Sequence, residues 1–423
     1  MLQNNSFVSP VDCRFNPGMT TETNPPPSRT LQPWAVVAAG ALSMMAAMGI
    51  GRFAFTPMLP LMIESGRLSM AAGGWLAAAN YTGYLVGAWL ASRVPLRSAS
   101  LATLALGMTA AVTAGMAWPG PAAWGMALRF LAGLGSAWAF VSTSVWCLAA
   151  LERVGRGTWS RAVYAGVGGG IALAGVHCLL ATALDTSVAG LWLQLGGLAL
   201  LLSLPMAWMS RRTAADAPGP VSQAARLPVP GPTRGLVVCY GVVGFGYILP
   251  ATFLPVLARE AVRDPLLFGL AWPLFGLTAA TSTLLAGWAA RVPRVKVWAS
   301  AQWLMGCGVL LPSLWSGGAA IALSALLVGG TFMVITMTGL QEIRARARGG
   351  DATRAVGRAT VAFGLGQIAG PLLSSSLMQW PAFRQHGLDT VMQVGAAGLL
   401  LGATWLWRCA AVPEDPVPIP HPT

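Results

Sequence analysis

Arg52 and Arg129 are the two cations of this chain that fall deep inside apolar runs, and a guanidinium in such a place is suited to holding an anion. Its planar fork can grip a carboxylate or phosphate through two parallel hydrogen bonds. An arginine near the middle of a membrane helix costs roughly 2.5–3.5 kcal/mol on insertion scales, so its presence asks for a reason. Arg52 sits in Gly49-Ile50-Gly51-Arg52-Phe53-Ala54-Phe55-Thr56-Pro57-Met58-Leu59-Pro60. The two prolines remove backbone donors and bend a helix that contains them. A bent segment with a charge at depth fits a watery cavity that a solute crosses, which predicts a small organic anion as passenger. The alternative for Arg52 is pairing with a neighbouring helix; for Arg129 it is structural or proton-coupling duty.

Other groups could complete such a site. Asn80 and Tyr84 are four residues apart and Tyr240 and Tyr247 seven apart, so each pair shares a helix face. Gln367 is likewise polar within an apolar run. Such side chains either line a cavity or bond across helices as structural glue. Trp146 and Trp272, with Trp138, lie within apolar runs and could wall a pocket, whereas Trp34, Trp118, Trp124, Trp298 and Trp315 lie near run ends and fit an interfacial belt. Proton coupling usually needs a titratable group at membrane depth. The candidates are His177, inside a run, and Glu64, at the end of the first; a histidine merely bonded within the bundle is the competing explanation. The six cysteines form no C-x-x-C and the three histidines are scattered, so neither metal, disulfide nor cofactor is expected. No Ser/His/Asp constellation and no G-x-x-x-x-G-K-[ST] is present, which argues against an enzyme and against a nucleotide-driven pump.

The elements that must position these residues are membrane helices. Charged residues make up 9% of the chain, against roughly 25% in soluble proteins. Apolar residues are 55% and the mean hydropathy is +0.63. A bilayer core takes about 20 apolar residues per helix. Runs of that length predict twelve all-α spans: 34–63, 71–92, 99–118, 122–150, 162–184, 189–209, 235–258, 266–290, 297–315, 318–341, 359–379 and 388–410. Residues 1–33 form a polar, proline-bearing segment with no short apolar stretch ending in a cleavage site, expected to be a disordered cytoplasmic tail rather than a signal peptide. Residues 411–423 are expected to be a second cytoplasmic tail. Of the 26 Lys and Arg residues, 20 fall on the N-terminal side of the membrane and four on the other. That asymmetry predicts both termini in the cytoplasm. It also accounts for the net charge of +13 without nucleic acid, because no basic cluster interleaves with aromatics.

The Ala- and Pro-rich stretch 210–234 divides the spans into an N-terminal bundle, 34–209, and a C-terminal bundle, 235–410. An internal repeat supports the division. Gly49-x-Gly51 and Leu59-Pro60 of the first span match Gly244-x-Gly246 and Leu254-Pro255 of the seventh at one spacing, which sets Tyr247 where the first half has Arg52. Arg93-Val94-Pro95 after the second span matches Arg291-Val292-Pro293 after the eighth. Two six-helix halves in parallel repeat are a common transporter plan, with the solute site between them near the midplane.

At these residues the chain resembles the major facilitator superfamily, across nearly its whole length outside the tails. Residues 49–62 resemble the first-span motif of the YbfB/YjiJ branch. Asn80-Tyr81-Thr82-Gly83-Tyr84-Leu85-Val86-Gly87-Ala88 resembles that branch's second span, and Gly364-Leu365-Gly366-Gln367-Ile368-Ala369-Gly370-Pro371 its eleventh. Arg129-Phe130-Leu131-Ala132-Gly133-Leu134-Gly135 is similar to the superfamily's fourth-span arginine–glycine motif. The resemblance implies a monomeric secondary transporter of the bacterial inner membrane, working by alternating access, with the first, fourth, seventh and tenth spans around a central cavity and loops bearing Arg93 and Arg291 as gates. Two departures stand out. Ser92 precedes Arg93 where the superfamily usually carries aspartate, and the glycines 166, 168, 169, 170 and 175 lack the proline of the antiporter motif. An efflux carrier for apolar or drug-like compounds, or a non-transporting sensor of the same fold, are the competing readings.

Overall fold

The structure is a computed structural model that describes residues 32–212, 231–261, 264, 268–286, 291–315, 317–347, 351–383 and 386–411. The expected tails at 1–31 and 412–423, and residues 213–230 of the expected linker, lie outside the described residues. Among the described residues every regular element is helical. The first span is broken into α1 (Pro33–Met44), a π-helical stretch (Met45–Ile50) and α2 (Phe55–Glu64). The other five of the first half are α3 (Met70–Ala91), α4 (Ser98–Gly115), α5 (Ala122–Arg153), α6 (Ser160–Ala183) and α7 (Val188–Arg212). The second half contains α8 (Gly231–Ala261), α9 (Ala271–Leu285), α10 (Arg294–Leu314), α11 (Gly318–Arg346), α12 (Asp351–Gln379) and α13 (Gly387–Ala411).

These are the twelve expected spans. Ten of them are long and apolar enough, among the described residues, to cross a membrane. The other two have evident reasons. Asn80, Tyr81, Thr82 and Tyr84 dilute the hydropathy of α3, and the described part of α9 has 15 residues. Local chemistry sets several ends. Pro33 opens α1, where a missing N–H costs nothing. The Ser69 side chain caps α3 by accepting from the Ala72 N–H at 3.1 Å. Gly66 turns the chain at φ 71°, in the left-handed region that favours glycine.

Each half packs alike. α3 lies on α5 as α9 lies on α11, α4 on α7 as α10 on α13, and α1 on α6 as α8 on α12. The repeat read from sequence is therefore a repeat of packing. Three helix pairs carry the seam between the halves: α6 with α9, α3 with α12, and α2 with α8. The first pair touches backbone to backbone at Gly168 and Gly276, where a Cβ on either would strike the other helix. Trp34, Trp118, Trp124 and Trp315 are exposed, as a belt requires. Trp298 is not: it is 0% exposed and meets the ring of Tyr240 edge-on at 6.1 Å, so its place near a helix end conceals a packing role.

Candidate functional site

The site begins with the break in the first span. Pro57 has no N–H to offer the Phe53 carbonyl, and its ring crowds that turn. The preceding backbone loosens accordingly. Gly51 and Phe53 donate to Ala46 and Met48 five residues back, each at 3.0 Å, and the Thr56 N–H turns to Phe53 O at 3.1 Å. The Arg52 carbonyl thereby loses the donor that a regular helix would give it. The expected proline bend is thus a π-turn and a break, centred just before Pro57. By contrast α8 stays helical through Pro250 and Pro255. Gly49 permits the irregular segment to lie against the backbone of Gly170 on α6.

Arg129 fills the gap. Its Nη2 donates to Arg52 O at 3.0 Å and its Nη1 to Gly51 O at 3.4 Å, while Cζ lies 4.6 Å from the centre of the Phe55 ring. Asn80 holds the helix that carries it, donating from Nδ2 to Arg129 O at 2.9 Å. Arg129 and Asn80, read from sequence as candidate ligands for a solute, donate to backbone carbonyls that bear on the first span and its neighbour, while Arg129 Nε and Asn80 Oδ1 are buried without a partner.

Arg52 is different. It is 3% exposed, so it does not face open water as the sequence suggests; it lies under rings at the seam between the halves. Its Cζ is 4.1 Å from the centre of the Tyr84 ring and 5.2 Å from those of Tyr81 and Phe53. Nε and Nη2 are buried and have no hydrogen-bond partner. Among the described residues no carboxylate pairs with it. Cation–π contacts give about 0.5–2 kcal/mol each, against a desolvation penalty of several kcal/mol for a buried ion. The rings soften the cost of the charge, but Nε and Nη2 remain without an acceptor.

The second half answers with aromatic surface. Tyr247, the repeat equivalent of Arg52, is within electrostatic reach of it. Tyr247 stacks on Phe332 at 5.6 Å and on Phe363 at 5.5 Å. Phe363 stacks on Tyr240 at 4.9 Å, and Phe332 on Phe275 at 5.7 Å. Trp272 continues the row, 4.9 Å from Phe275 and 6.4 Å from Phe53 of the first half. Gln367 donates from Nε2 to the Tyr247 hydroxyl, and the Tyr240 hydroxyl donates to Thr336 O at 3.5 Å.

Beside this row, the halves are pinned together. Tyr81 and Thr252 share a hydroxyl–hydroxyl bond of 2.9 Å, and Thr56 donates to Ala251 O at 2.7 Å. Glu64 at the end of α2 pairs with Arg259 of α8. Sequence reasoning passed over Tyr81, Phe53, Phe332 and Phe363. The signal for Tyr81 was present, since it lies three residues from Tyr84 and so on the same helix face.

The remaining sequence candidates lie elsewhere. Trp146 is buried, with Nε1 unpartnered. His177 is half-buried near the end of α6. Glu64 is exposed and ion-paired, not at depth. Arg93 folds back on its own helix, donating to Trp89 O at 2.8 Å with its Cζ 3.9 Å from the centre of the Trp89 ring, and Arg291 is exposed. Trp272 also lines a cleft of about 520 Å³ near the Glu64 end, with Pro57, Pro60, Arg259 and Phe268.

Solved transporters share the architecture. The in meso crystal structure of the POT family transporter PepTSo superposes with a TM-score of 0.68 at 15% identity, covering 89% of this chain and 97% of that one. A crystal structure of the nucleoside transporter NupG gives 0.66 at 13% identity, over 90% and 100%. The D-xylose-proton symporter gives 0.66 at 14% identity, over 89% and 96%. At such identities the likeness is one of fold. No curated protein matches the chain in sequence. A family described as "Uncharacterised MFS-type transporter YbfB" matches residues 44–406, a continuous stretch from the π-turn to the last helix. The chain therefore belongs to that family, and is a multi-pass membrane transporter of the major facilitator type.

Proposed function

We propose that this transporter moves a small organic anion by alternating access, and that Arg52 is the anion's anchor. One observation carries the reading: a guanidinium at the seam between the halves is buried with two nitrogens unpartnered. A carboxylate there would supply both the countercharge and the missing acceptors. Arg129 and Asn80 serve as positioning residues, holding the break that aims Arg52. The bonds at Thr56, Tyr81 and Glu64 support closure at the Glu64 end, which we take as the outer face of a bacterial inner membrane, with both termini in the cytoplasm. No protein carboxylate pairs with Arg52 among the described residues, and His177 is the in-span candidate for proton coupling.

An efflux carrier for apolar compounds draws support from the aromatic row, but it leaves the buried charge without a purpose. Purified protein in liposomes tests the proposal. Arg52→Ala is expected to abolish carboxylate uptake or binding with normal membrane yield, and Arg52→Lys to impair it, because an ammonium cannot reproduce the two-pronged grip. Uptake by Arg52→Ala at the wild-type rate would remove Arg52 from the site, and absence of any solute flux would favour a sensor.

A further inference from the structure

Resting on the anion reading, we infer that the organic part of the solute is a flat unsaturated ring, so that the natural passenger is an aromatic or similarly planar carboxylate carrying no ammonium group. Three features of the seam lead there.

The first is which rings are accessible. Around Arg52, the rings of Phe53, Tyr81 and Tyr247 are buried, whereas Tyr84 of the first half and Phe363 of the second are half-buried. These two belong to the helices α3 and α12 that meet across the seam, and their chain neighbours touch: a Cβ on Gly364 would lie 2.9 Å from the Leu85 side chain. Tyr84 and Phe363 are thus the partly accessible rings, one from each half, that a solute approaching Arg52 can touch.

The second is how the rings are turned. Tyr247 is inclined only 3° to Phe332 and 18° to Phe363, and Phe363 only 30° to Tyr240. Near-parallel faces form a stacking surface, on which a planar guest adds one more layer. A puckered saturated ring of the same size meets such a face through its axial C–H groups alone and makes less contact with it. Such aromatic contacts add about 0.5–1.5 kcal/mol beyond the burial of area.

The third is the polar inventory. The hydroxyls of Tyr81, Tyr240 and Tyr247 are engaged with Thr252, Thr336 and Gln367. Sugars would need many free donors and acceptors here, and amino acids or peptides a carboxylate for the ammonium. Among the described residues the wall offers no carboxylate and, beyond Arg52, the unpartnered Nε1 of Trp272 as a free donor; the rest of it is ring face.

The test compares guests of equal charge. Binding of benzoate and 2-naphthoate to the purified full chain is measured beside cyclohexanecarboxylate and neutral benzamide. The expected result is at least about threefold tighter binding of benzoate than of cyclohexanecarboxylate, tighter binding still of 2-naphthoate, and none of benzamide. Phe363→Leu and Tyr84→Leu are expected to erase the preference for planar guests, while Tyr84→Phe keeps it. Equal affinity for the planar and saturated anions would overturn the planar-ring inference and leave the anion reading standing. Benzamide binding as well as benzoate would overturn the anion reading, and no binding of any of the four would overturn both.

Discussion

The first and seventh spans carry matching glycines and a matching Leu-Pro pair 195 residues apart, but Pro57 of the first span stands where the seventh has Thr252, and the two spans fold differently. The first is broken, held by Arg129, and ends its irregular segment on a cation. The seventh runs unbroken from Gly231 to Ala261 and sets a tyrosine at the equivalent position. Equivalent positions also meet: Thr56 bonds to Ala251, and Glu64 pairs with Arg259, each pair separated by the repeat length. Such contacts lie on the axis relating the halves. With identical spans Glu64 would face another glutamate; the divergence of one copy to arginine turns repulsion into attraction. A duplicated scaffold can thus keep its packing while its axis positions diverge, one copy supplying charge and the other aromatic surface.

The largest effect that would break this contrast comes from the support of the first span. Arg129→Leu leaves the Arg52 carbonyl without its donor, and an orphaned buried acceptor costs about 1–3 kcal/mol. We expect lowered thermal stability together with loss of anion binding, measured by a melt with and without benzoate. Wild-type binding in that variant would show that the break does not depend on Arg129. A smaller effect is expected from Tyr81→Phe, which keeps the ring over Arg52 and removes the bond to Thr252. A neutral hydrogen bond is worth about 0.5–1.5 kcal/mol. Spin-label distances between α2 and α8 should lengthen in a fraction of molecules while affinity for the anion stays near wild type. An unchanged distance distribution would take Tyr81 out of the closure.

The smallest expected effect concerns Glu64 and Arg259. Exposed ion pairs typically contribute about 0–1 kcal/mol, so Glu64→Gln should change stability little. The informative comparison is reversal. Glu64→Arg places two arginines on the axis and should favour opening of that end, whereas Glu64→Arg with Arg259→Glu should restore closure. The same distance measurement reads both, and failure of the double variant to recover would mean that the pair has no part in holding the halves together.

Much of this contrast was legible in the sequence. Twelve apolar runs, the glycine–proline repeat and the basic loops mark the helices and their division, because hydropathy and turn residues are local signals. The depth of Arg52 was legible for the same reason. Its environment was not: nothing in the order of residues decides between an anion ligand and a structural role for Arg129, and the bonds from its Nη1 and Nη2 to carbonyls of the first span emerge only on folding. The π-turn hides likewise, since Pro57 announces a bend but the place of the break depends on Arg129 and on the fit of Gly49 to α6. Trp298 follows Arg294 and Lys296 and so resembles a belt residue, yet its face of α10 turns inward. Phe332 and Phe363 look like ordinary apolar residues until the second half is folded around them.

The central claim is that Arg52 carries a buried charge held for a guest rather than for the fold. Its most direct test is the thermal midpoint of Arg52→Met beside wild type, each with and without benzoate. Removing an unpaired buried cation while keeping an apolar chain of similar length should leave the ligand-free protein more stable, because the desolvation penalty disappears with the charge. Benzoate should then raise the midpoint of wild type alone. A ligand-free midpoint that falls in Arg52→Met would show that the fold depends on the guanidinium, and the claim would fail.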